Sequence, residues 1–233
     1  MRLDLLSTLN AERAARRAAV LVTELETGAQ RLVKAADIAA DPLHEALADA
    51  LRMGRSTQIH FEGSAYFLTI QVPPVRLIAI GAVHITQALA PMAKLAGFDM
   101  TIIDPRTAFA TPERFPDVKV LAEWPDDVLP ALRLDRYTAV GLFTHDPKID
   151  DQALIAALRA DCFYIGALGS RKTHAKRIER MEAAGFAQEQ LARIHAPIGL
   201  DIGSVTPSEI AVSVVGEIIS ALRKKPKRSE AGA

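Results

Sequence analysis

Polar and charged residues follow four apolar segments of the sequence, each at the point where a predicted strand ends. Ligands of parallel α/β sheets bind beyond the carboxyl ends of the strands. A site at that edge would combine backbone N–H groups, imidazole, carboxylate and cations. For any one segment, the alternative is that connecting loops are ordinarily polar. The four segments are Gly81-Ala82-Val83-His84, Asp104-Pro105-Arg106, Thr144-His145-Asp146 and Gly169-Ser170-Arg171-Lys172.

The loop that begins at Gly81 is half of a dinucleotide-binding motif. The full motif is G-x-G-x-x-G, and here Val83 and Thr86 stand at the second and third glycine positions. Val83 places a branched side chain where a pyrophosphate would approach the backbone. Asp104 follows Gly81 by 23 residues, a separation that suits an acid on a ribose hydroxyl. The loop could hold an anion at the start of a helix, or it is a tight turn without a ligand.

Two of the other strand ends carry histidine and cations. His145 could act as an acid, a base, a hydrogen-bond donor or a metal ligand, or belong to a hydrogen-bonded loop. No second histidine or cysteine stands at metal-ligand spacing, which argues against bound zinc. Ser170 is the expected N-cap of a helix, and Arg171 and Lys172 in its first turn oppose the helix dipole. Cations there favour a nearby anion, so we predict a phosphate contact; a solvated basic face is the alternative.

Two further residues give weaker signals. Asp201 lies in a loop with two glycines, Pro197 to Ser204, that is long for a plain connection; a turn-forming aspartate is the alternative. Cys162 is the single cysteine, borders a predicted strand and is expected to be buried rather than nucleophilic. The spacing shows no Ser-His-Asp or Cys-His arrangement, so no catalytic residue is predicted.

The elements that would position these residues follow two different patterns. Up to Gln71, helical segments and two hairpins, turning at Thr27-Gly28 and at Glu62-Gly63-Ser64, indicate a small α+β domain. From Arg76 onward strands and helices alternate, which predicts a parallel sheet covered by helices. The prolines of Val72 to Val75 mark a boundary. We expect domains at residues 1–72 and 73–225 and a flexible tail at 226–233.

Three helix ends are marked by capping residues. The second helix should have Asp41 as its N-cap, Pro42 at its first position and Gly54 after its end. The last helix should begin with a capping box formed by Thr206 and Glu209. These capping residues are explained by helix formation alone and do not indicate a function.

Composition excludes several classes of protein. The chain has 28 basic and 28 acidic residues, so it has no net basic field for nucleic acid or an anionic membrane. One cysteine allows no intramolecular disulfide and fits a reducing cytoplasm. Charges interrupt the N-terminal segment too often for a signal peptide. The longest uncharged stretch, Leu77 to Ala93, predicts strand, turn and helix rather than a membrane span. We expect a cytoplasmic protein.

Four segments together resemble the xanthine dehydrogenase accessory factor family, XdhC/CoxI. The resemblance covers roughly residues 70 to 223 in unbroken order and implies a Rossmann-like α/β domain after the small α+β domain. It also implies a maturation factor that binds molybdenum cofactor, assists its sulfuration by a cysteine desulfurase and delivers it to xanthine dehydrogenase or a relative. Members are cytoplasmic and often dimeric. The segments are GAVHITQALAPMAKLAGFDMTIIDPR, THDPKIDDQALIAAL, YIGALGSRKT and HAPIGLDIGSVTPSEIAVSVVGEI.

The sequence departs from the family pattern in two places. The family usually has Gly-Ala-Gly-His where this chain has Gly81-Ala82-Val83-His84. The N-terminal domain is also short, without the family's GS-x-P-R segment or its cysteine-containing glycine motif. Cofactor handling that depends on that domain is therefore in question.

The favoured interpretation is a chaperone that binds molybdenum cofactor and serves a xanthine dehydrogenase-like client, rather than an enzyme. In it, Arg171 and Lys172 hold phosphate, and His84 and His145 contact the metal-dithiolene end or the pterin. An NAD(P)-dependent oxidoreductase with Asp104 on the ribose is the disfavoured alternative, and a docking protein without a ligand is the third. We expect a homodimer, with a cysteine desulfurase as a second partner. The predicted cofactor-binding residues are Gly81, Ala82, Val83, His84, Asp104, Arg106, Thr144, His145, Asp146, Gly169, Ser170, Arg171, Lys172 and Asp201.

Overall fold

The structure, a computed structural model, describes residues 2–224 of the chain. Contacts divide the chain into two units, one that runs up to Pro73 and also includes Arg223, and one formed by Pro74–Leu222. The tail predicted at residues 226–233 lies outside the described residues. Within residues 2–224, the helices are too short or too polar to cross a lipid bilayer.

The N-terminal unit is an antiparallel sheet of four strands with a helix packed on it. The strand order is β2-β1-β4-β3. Val20 and Val22 of the first strand alternate toward the same face and pack with Leu47 and Leu68 in one buried cluster. The elements are α1 (Leu3–Ala14), β1 (Ala19–Glu24), β2 (Gln30–Lys34), a 3₁₀ helix (Ala35–Ala40), α2 (His44–Met53), β3 (Thr57–Phe61) and β4 (Ser64–Gln71).

Both predicted hairpins are present in this unit. Glu62 and Gly63 take left-handed conformations, with φ of 47° and 85°, as a two-residue hairpin turn requires. Gly54 ends α2 with φ of 63°, as predicted. The predicted start of that helix is wrong. The Asp41 carboxylate accepts a hydrogen bond from the Leu43 amide and pairs with Arg31, so the helix begins only at His44.

The C-terminal unit is a six-stranded parallel sheet in the order β10-β9-β8-β5-β6-β7, which confirms the predicted Rossmann-like α/β fold. The sequence did not predict α4, α7 or β10, which are short. The elements are β5 (Arg76–Ile80), α3 (His84–Leu95), β6 (Asp99–Ile103), β7 (Lys119–Leu121), α4 (Pro125–Leu132), β8 (Thr138–Leu142), α5 (Pro147–Arg159), β9 (Tyr164–Ala167), α6 (Arg171–Ala183), α7 (Gln188–Leu191), β10 (Ile194–His195) and α8 (Pro207–Arg223).

Helices cover both faces of the parallel sheet. Leu77 of β5 packs in a cluster with residues of α3 and α8, whereas its neighbour Ile78 packs in a second cluster with residues of α5 and α6. Because both faces are buried, the central strands are continuous apolar runs. β5 lies in the middle of the sheet. The next strands of the chain, β6 and β7, are added on one side of it, and β8, β9 and β10 are added on the other side. This reversal opens a crevice between the carboxyl ends of β5 and β8, where ligands of such folds bind.

The last helix begins as the sequence predicts. The Thr206 hydroxyl accepts a hydrogen bond from the Glu209 amide, and the Glu209 carboxylate accepts one from the Thr206 amide. The predicted capping box is therefore confirmed.

Gly166 of β9 provides a test of the core packing on the parallel sheet. A Cβ atom at this position would lie 2.5 Å from Ile198 Cγ1 and 2.6 Å from the Tyr164 hydroxyl. Gly166→Ala should lower the free energy of unfolding by about 1–3 kcal/mol, because the core must shift to admit the methyl group. Urea denaturation measures the change.

Gly216→Ala is the matched control for Gly166→Ala. A Cβ at Gly216 meets only the flexible Leu200 side chain, at 3.1 Å. Alanine also favours a helix over glycine by roughly 1 kcal/mol. We expect this variant to be at least as stable as the wild type. Equal denaturation midpoints for the two variants would contradict the packing described for Gly166.

Candidate functional site

The loops after β5, β8 and β9 meet at the carboxyl edge of the parallel sheet. A Cβ at Gly81 would lie 2.9 Å from Thr144 Cγ2, and a Cβ at Gly169 would lie 3.7 Å from His145 Nδ1. Both glycines also have positive φ, 115° and 132°, where a side chain would be strained. The structure therefore brings these predicted residues of three loops together.

Asp104 is fully buried at the end of β6 and holds the glycine loop. Its carboxylate accepts hydrogen bonds from the Ala82 amide (2.7 Å), from the Arg106 amide (3.0 Å), and from Nε and Nη2 of Arg106 (2.9 and 2.7 Å). Burial alone would raise the pKa of Asp104, but the hydrogen bonds and charge of Arg106 and the two amides lower it overall. Both carboxylate oxygens are therefore occupied by the protein.

The glycine loop satisfies its own backbone. The Thr86 hydroxyl accepts a hydrogen bond from the Val83 amide at 2.8 Å and faces the carbonyl oxygens of Gly81 and Val83. The Ala82 amide is already bound to Asp104. Val83 has φ of −104°, an extended conformation that needs no glycine. The Ala82 and Val83 amides, which could approach a pyrophosphate, are therefore used within the protein.

Arg114 is a loop-holding residue that the sequence interpretation missed. It lies between β6 and β7, and its Nη1 donates to the carbonyl oxygens of Ala82 (2.8 Å) and Phe109 (2.7 Å). Its Nη2 donates to Gln87 Oε1 at 2.9 Å. The guanidinium also lies over the Phe115 ring, 5.4 Å from its centroid. Arg114 thus joins the long β6–β7 connection to the glycine loop and to α3.

Asp150 in the first turn of α5 plays the equivalent role for the β8–α5 loop. It is 2% exposed, and its carboxylate accepts hydrogen bonds from the Thr144 hydroxyl (2.7 Å) and the His145 amide (3.1 Å). His145 is held at φ of 62°, which is unusual for a non-glycine residue. Burial raises the pKa of Asp150 to about 6, against the lowering effects of the Thr144 hydrogen bond and of the Arg177 charge. Asp146 caps α5 by accepting from the Lys148 amide at 3.0 Å.

The start of α6 forms one wall of a cavity of about 330 Å³. Ser170 caps the helix as predicted, since its hydroxyl accepts from the Thr173 amide at 3.2 Å. Arg171 and Lys172 are exposed in the first turn. Lys172 faces the cavity, whereas Arg171 is not among its lining residues. The lining consists of His145, Pro147, Asp150, Lys172, Thr173, Lys176, Arg177 and Arg180.

Arg177 is the buried cation of this cavity and was also missed from the sequence. It is 2% exposed, and its Nη2 donates to the Leu168 carbonyl oxygen at 3.0 Å. Its Nε and Nη1 are buried and have no hydrogen-bond partner among residues 2–224. Burial lowers the pKa of the guanidinium, which Asp150 partly offsets. The nearby Arg180 is neutralised by Asp151, to which its Nη2 donates at 2.9 Å.

Asp201 is not joined to these loops. It is exposed in the segment between β10 and α8, and in the described part of the chain no hydrogen bond connects it to the three strand-end loops. Glu217 of α8 holds this segment by accepting from the Gly199 amide (2.8 Å) and the Tyr164 hydroxyl (2.5 Å). His195 Nδ1 lies 3.0 Å from the same carboxylate.

Neither the cysteine nor a metal centre is part of this site among residues 2–224. Cys162 is 1% exposed, as predicted, and burial raises the pKa of its thiol to about 12. Within residues 2–224, histidine, cysteine and acidic side chains form no group of three that could hold a metal ion. The arrangement at the carboxyl edge is thus a fixed set of loops beside a cationic cavity, suited to binding an anion.

Comparison with known proteins identifies relatives of this chain. The XdhC Rossmann domain family matches residues 77–218. The chain is 33% identical over 162 residues to the Uncharacterized protein YqeB of Escherichia coli strain K12, covering 69% of this chain and 30% of that protein. It is 32% identical over 148 residues to the Molybdenum cofactor insertion chaperone PaoD of the same strain, covering 64% and 40%.

Two further similarities extend the comparison. A probable xanthine dehydrogenase subunit from Bacillus subtilis strain 168 is 30% identical over 167 residues, covering 71% of this chain and 48% of that protein. The chain thus spans less than half the length of these curated relatives. A crystal structure of a xanthine dehydrogenase from Bacillus halodurans has a TM-score of 0.65 and 23% identity, covering 97% of this chain and 66% of that chain. At that identity the likeness shows the fold alone.

The raised pKa of Asp150 predicts a pH-dependent stability. The folded chain keeps a proton on Asp150 up to about pH 6, whereas the unfolded chain loses it near 4. The free energy of unfolding of the wild type should therefore fall between these pH values, by up to about 3 kcal/mol from this group. Asp150→Asn removes this titration. The stability of Asp150→Asn relative to wild type should rise from pH 4 to pH 7 by up to that amount.

Urea denaturation of both proteins at several pH values measures this difference. Asp126→Asn, at an exposed aspartate in the first turn of α4, is the matched control and should show no such rise. A difference between Asp150→Asn and wild type that stays constant from pH 4 to pH 7 would show that Asp150 titrates normally.

Proposed function

This chain belongs to the XdhC family, and we propose that it is a chaperone that binds molybdenum cofactor and serves a xanthine dehydrogenase-type enzyme. The observation that carries the proposal is the cationic cavity beside His145, at the sheet edge where this fold binds ligands. The similarity of the chain to a molybdenum cofactor insertion chaperone supports the same conclusion. In this proposal the cofactor is cargo that the chain binds and then releases to the client.

In this proposal, different residues at the carboxyl edge contact different parts of the cargo. Lys172 faces the negative charge of its phosphate from the first turn of α6, and Arg171, which does not line the cavity, adds positive charge at the same end of the helix. His145 and the exposed His84 at the start of α3 contact the metal-dithiolene end or the pterin. Gly81 lets the glycine loop pack closely against Thr144 of the β8–α5 loop. The remaining predicted residues contribute by holding these loops in position, except Asp201, which is exposed and not joined to them.

Sulfuration and delivery extend the proposal to partner proteins. We propose that a cysteine desulfurase supplies the terminal sulfur, and that the chain acts in the cytoplasm as a homodimer. Cys162 is buried, and its thiol keeps its proton at neutral pH. Within this chain it is therefore unsuited to carry the sulfur.

An NAD(P)-dependent oxidoreductase fits this geometry less well. A dinucleotide would need the amides of Ala82 and Val83 for its pyrophosphate, and these are bonded to Asp104 and Thr86. A ribose hydroxyl would need an oxygen of Asp104, which is buried against Arg106. The loops are thus closed by protein groups at the two points that define the dinucleotide-binding motif.

Equilibrium dialysis separates the two functions. The purified chain should retain molybdenum cofactor and should not retain NAD(H) or NADP(H) at micromolar concentration. Val83→Gly serves as the companion variant, because it opens the backbone at the position of the second glycine. It should not improve cofactor retention, whereas it should raise any weak affinity for NAD(H). Micromolar binding of NAD(H) by the wild type would overturn the chaperone proposal in favour of the oxidoreductase.

A deletion strain tests the function in the cell. Without this protein, a molybdenum hydroxylase of the host should fold but carry little active, sulfurated cofactor. Hydroxylase activity and molybdenum content of the purified client are the two measurements. Purified chain loaded with cofactor should restore activity in proportion to the amount added, because a carrier delivers its cargo without turnover.

The deletion experiment also has a clear contrary outcome. Full activity in every molybdenum hydroxylase of the host, in a strain without a related chaperone, would refute the proposal. Restoration by cofactor alone, at equal concentration and without the chain, would refute delivery by this protein.

A further inference from the structure

We propose that the cavity lined by Arg177 is a binding site for a tetrahedral oxyanion, and that this oxyanion is the phosphate group of the cofactor. The cavity lies between the β8–α5 loop and α6, and it has a volume of about 330 Å³. A single water takes up about 30 Å³ of liquid, so the cavity has room for a phosphate and part of the molecule attached to it. The identification of the phosphate rests on the proposed function.

The charges around the cavity favour an anion. Lys172, Lys176, Arg177 and Arg180 line it, together with one carboxylate, that of Asp150. The charge of Arg180 is cancelled by the Asp151 carboxylate of α5. Among the residues that line the cavity, the other three cations face one carboxylate, that of Asp150, although the charge of Asp151 also acts on Arg177. A negatively charged ligand would offset this excess of positive charge.

Arg177 provides the observation that points to a ligand. Its guanidinium is buried, with one hydrogen bond to the Leu168 carbonyl oxygen and two nitrogens, Nε and Nη1, that have no partner among residues 2–224. Buried polar groups in proteins are nearly always hydrogen-bonded, and buried charges are nearly always paired. An arginine kept in this state at the wall of a cavity is suited to donate to an oxyanion.

The acidic residues near Arg177 are held by other groups. The Asp150 oxygens accept from the Thr144 hydroxyl and the His145 amide. Asp151 is bound to Arg180 through both of its oxygens. Asp146 accepts from the Lys148 amide at the start of α5. None of these carboxylates, within the part of the chain that the structure describes, makes a hydrogen bond to Nε or Nη1 of Arg177.

The glycine loop gives a further reason to place the phosphate at Arg177. In dinucleotide-binding folds the phosphate lies on amides of the first strand-helix turn. Here the Ala82 and Val83 amides donate to Asp104 and Thr86 instead. The β5–α3 turn therefore offers less to a phosphate than α6, where three cations face one cavity. His145 lines the same cavity, so a ligand anchored at Arg177 would extend past its imidazole.

Isothermal titration with sodium sulfate and with inorganic phosphate, at constant ionic strength, tests the site. Wild type should bind both anions in the millimolar range or tighter. Arg177→Met keeps much of the length of the side chain and removes its charge, and it should weaken binding by at least about tenfold, the loss expected for one charge-assisted hydrogen bond. Lys176→Ala, at an exposed residue, should weaken it by a smaller factor without disturbing the fold. Thermal unfolding checks that both variants are folded.

Lys94→Ala is the matched control. Lys94 is an exposed cation in the last turn of α3, paired with Asp117 at 3.4 Å and at the opposite end of that helix from the carboxyl edge. Its removal changes net charge by the same amount and should leave sulfate binding unchanged. Equal weakening by Lys94→Ala and Lys176→Ala would overturn the proposal, because it would show a general charge effect. Absence of millimolar sulfate and phosphate binding by the wild type would also overturn it.

Dialysis with molybdenum cofactor identifies the natural source of the oxyanion. If the phosphate of the cofactor occupies the cavity, Arg177→Met should weaken cofactor binding in parallel with sulfate binding, and sulfate should compete with the cofactor. Cofactor binding that is unchanged in Arg177→Met would overturn this assignment and leave the proposed chaperone function intact. A wild type that binds sulfate through Arg177 but no cofactor would overturn the proposed function and leave the oxyanion site.

Discussion

The buried Asp104 carboxylate is the interaction on which the carboxyl edge depends, because it joins the end of β6 to the glycine loop after β5. Asp150 does the same for the loop after β8, and Glu217 for the loop after β10. In each case a carboxylate with little exposure accepts a loop amide and at least one side-chain hydrogen bond. Loops fixed in this way need little ordering when a ligand arrives, which reduces the entropic cost of binding. These hydrogen bonds also determine which polar groups of the loops remain free to contact a ligand.

The groups that remain include the side chains around the α6 cavity, whereas the Ala82 and Val83 amides are already bonded within the protein. A dinucleotide enzyme holds its cofactor through the amides of the first turn and an acid on the second strand, and here Ala82, Val83 and Asp104 are bound within the protein. The cations of α6 and the imidazole of His145 stay available. The glycine loop therefore differs from the dinucleotide-binding arrangement of oxidoreductases that share this fold.

The fold followed from the sequence because its signals are local. Alternating strands and helices, the hairpin turn at Glu62 and Gly63 and the capping box of α8 each depend on a few neighbouring residues. For the site, the sequence predicted which loops come together but not which way their side chains turn. Asp104 was expected to face a ligand, yet it is buried, since nothing in the sequence says which way a strand-end acid turns. Asp150 and Arg177 were missed, although the helical spacing of Arg177 and the buried Met181 places both on the same side of α6.

Arg177 connects the stability of the folded chain to ligand binding. A buried guanidinium without a full set of hydrogen bonds destabilises the folded state, and neither of its neighbours Asp150 and Asp151 relieves this by a direct hydrogen bond to Nε or Nη1. An oxyanion that binds at these nitrogens would supply the missing interactions, so it should stabilise the folded chain increasingly as its free concentration rises above its Kd. Local violations of the packing rules are most often found at functional sites. The proposed oxyanion would therefore bind at the point where the folded chain has an incompletely hydrogen-bonded cation.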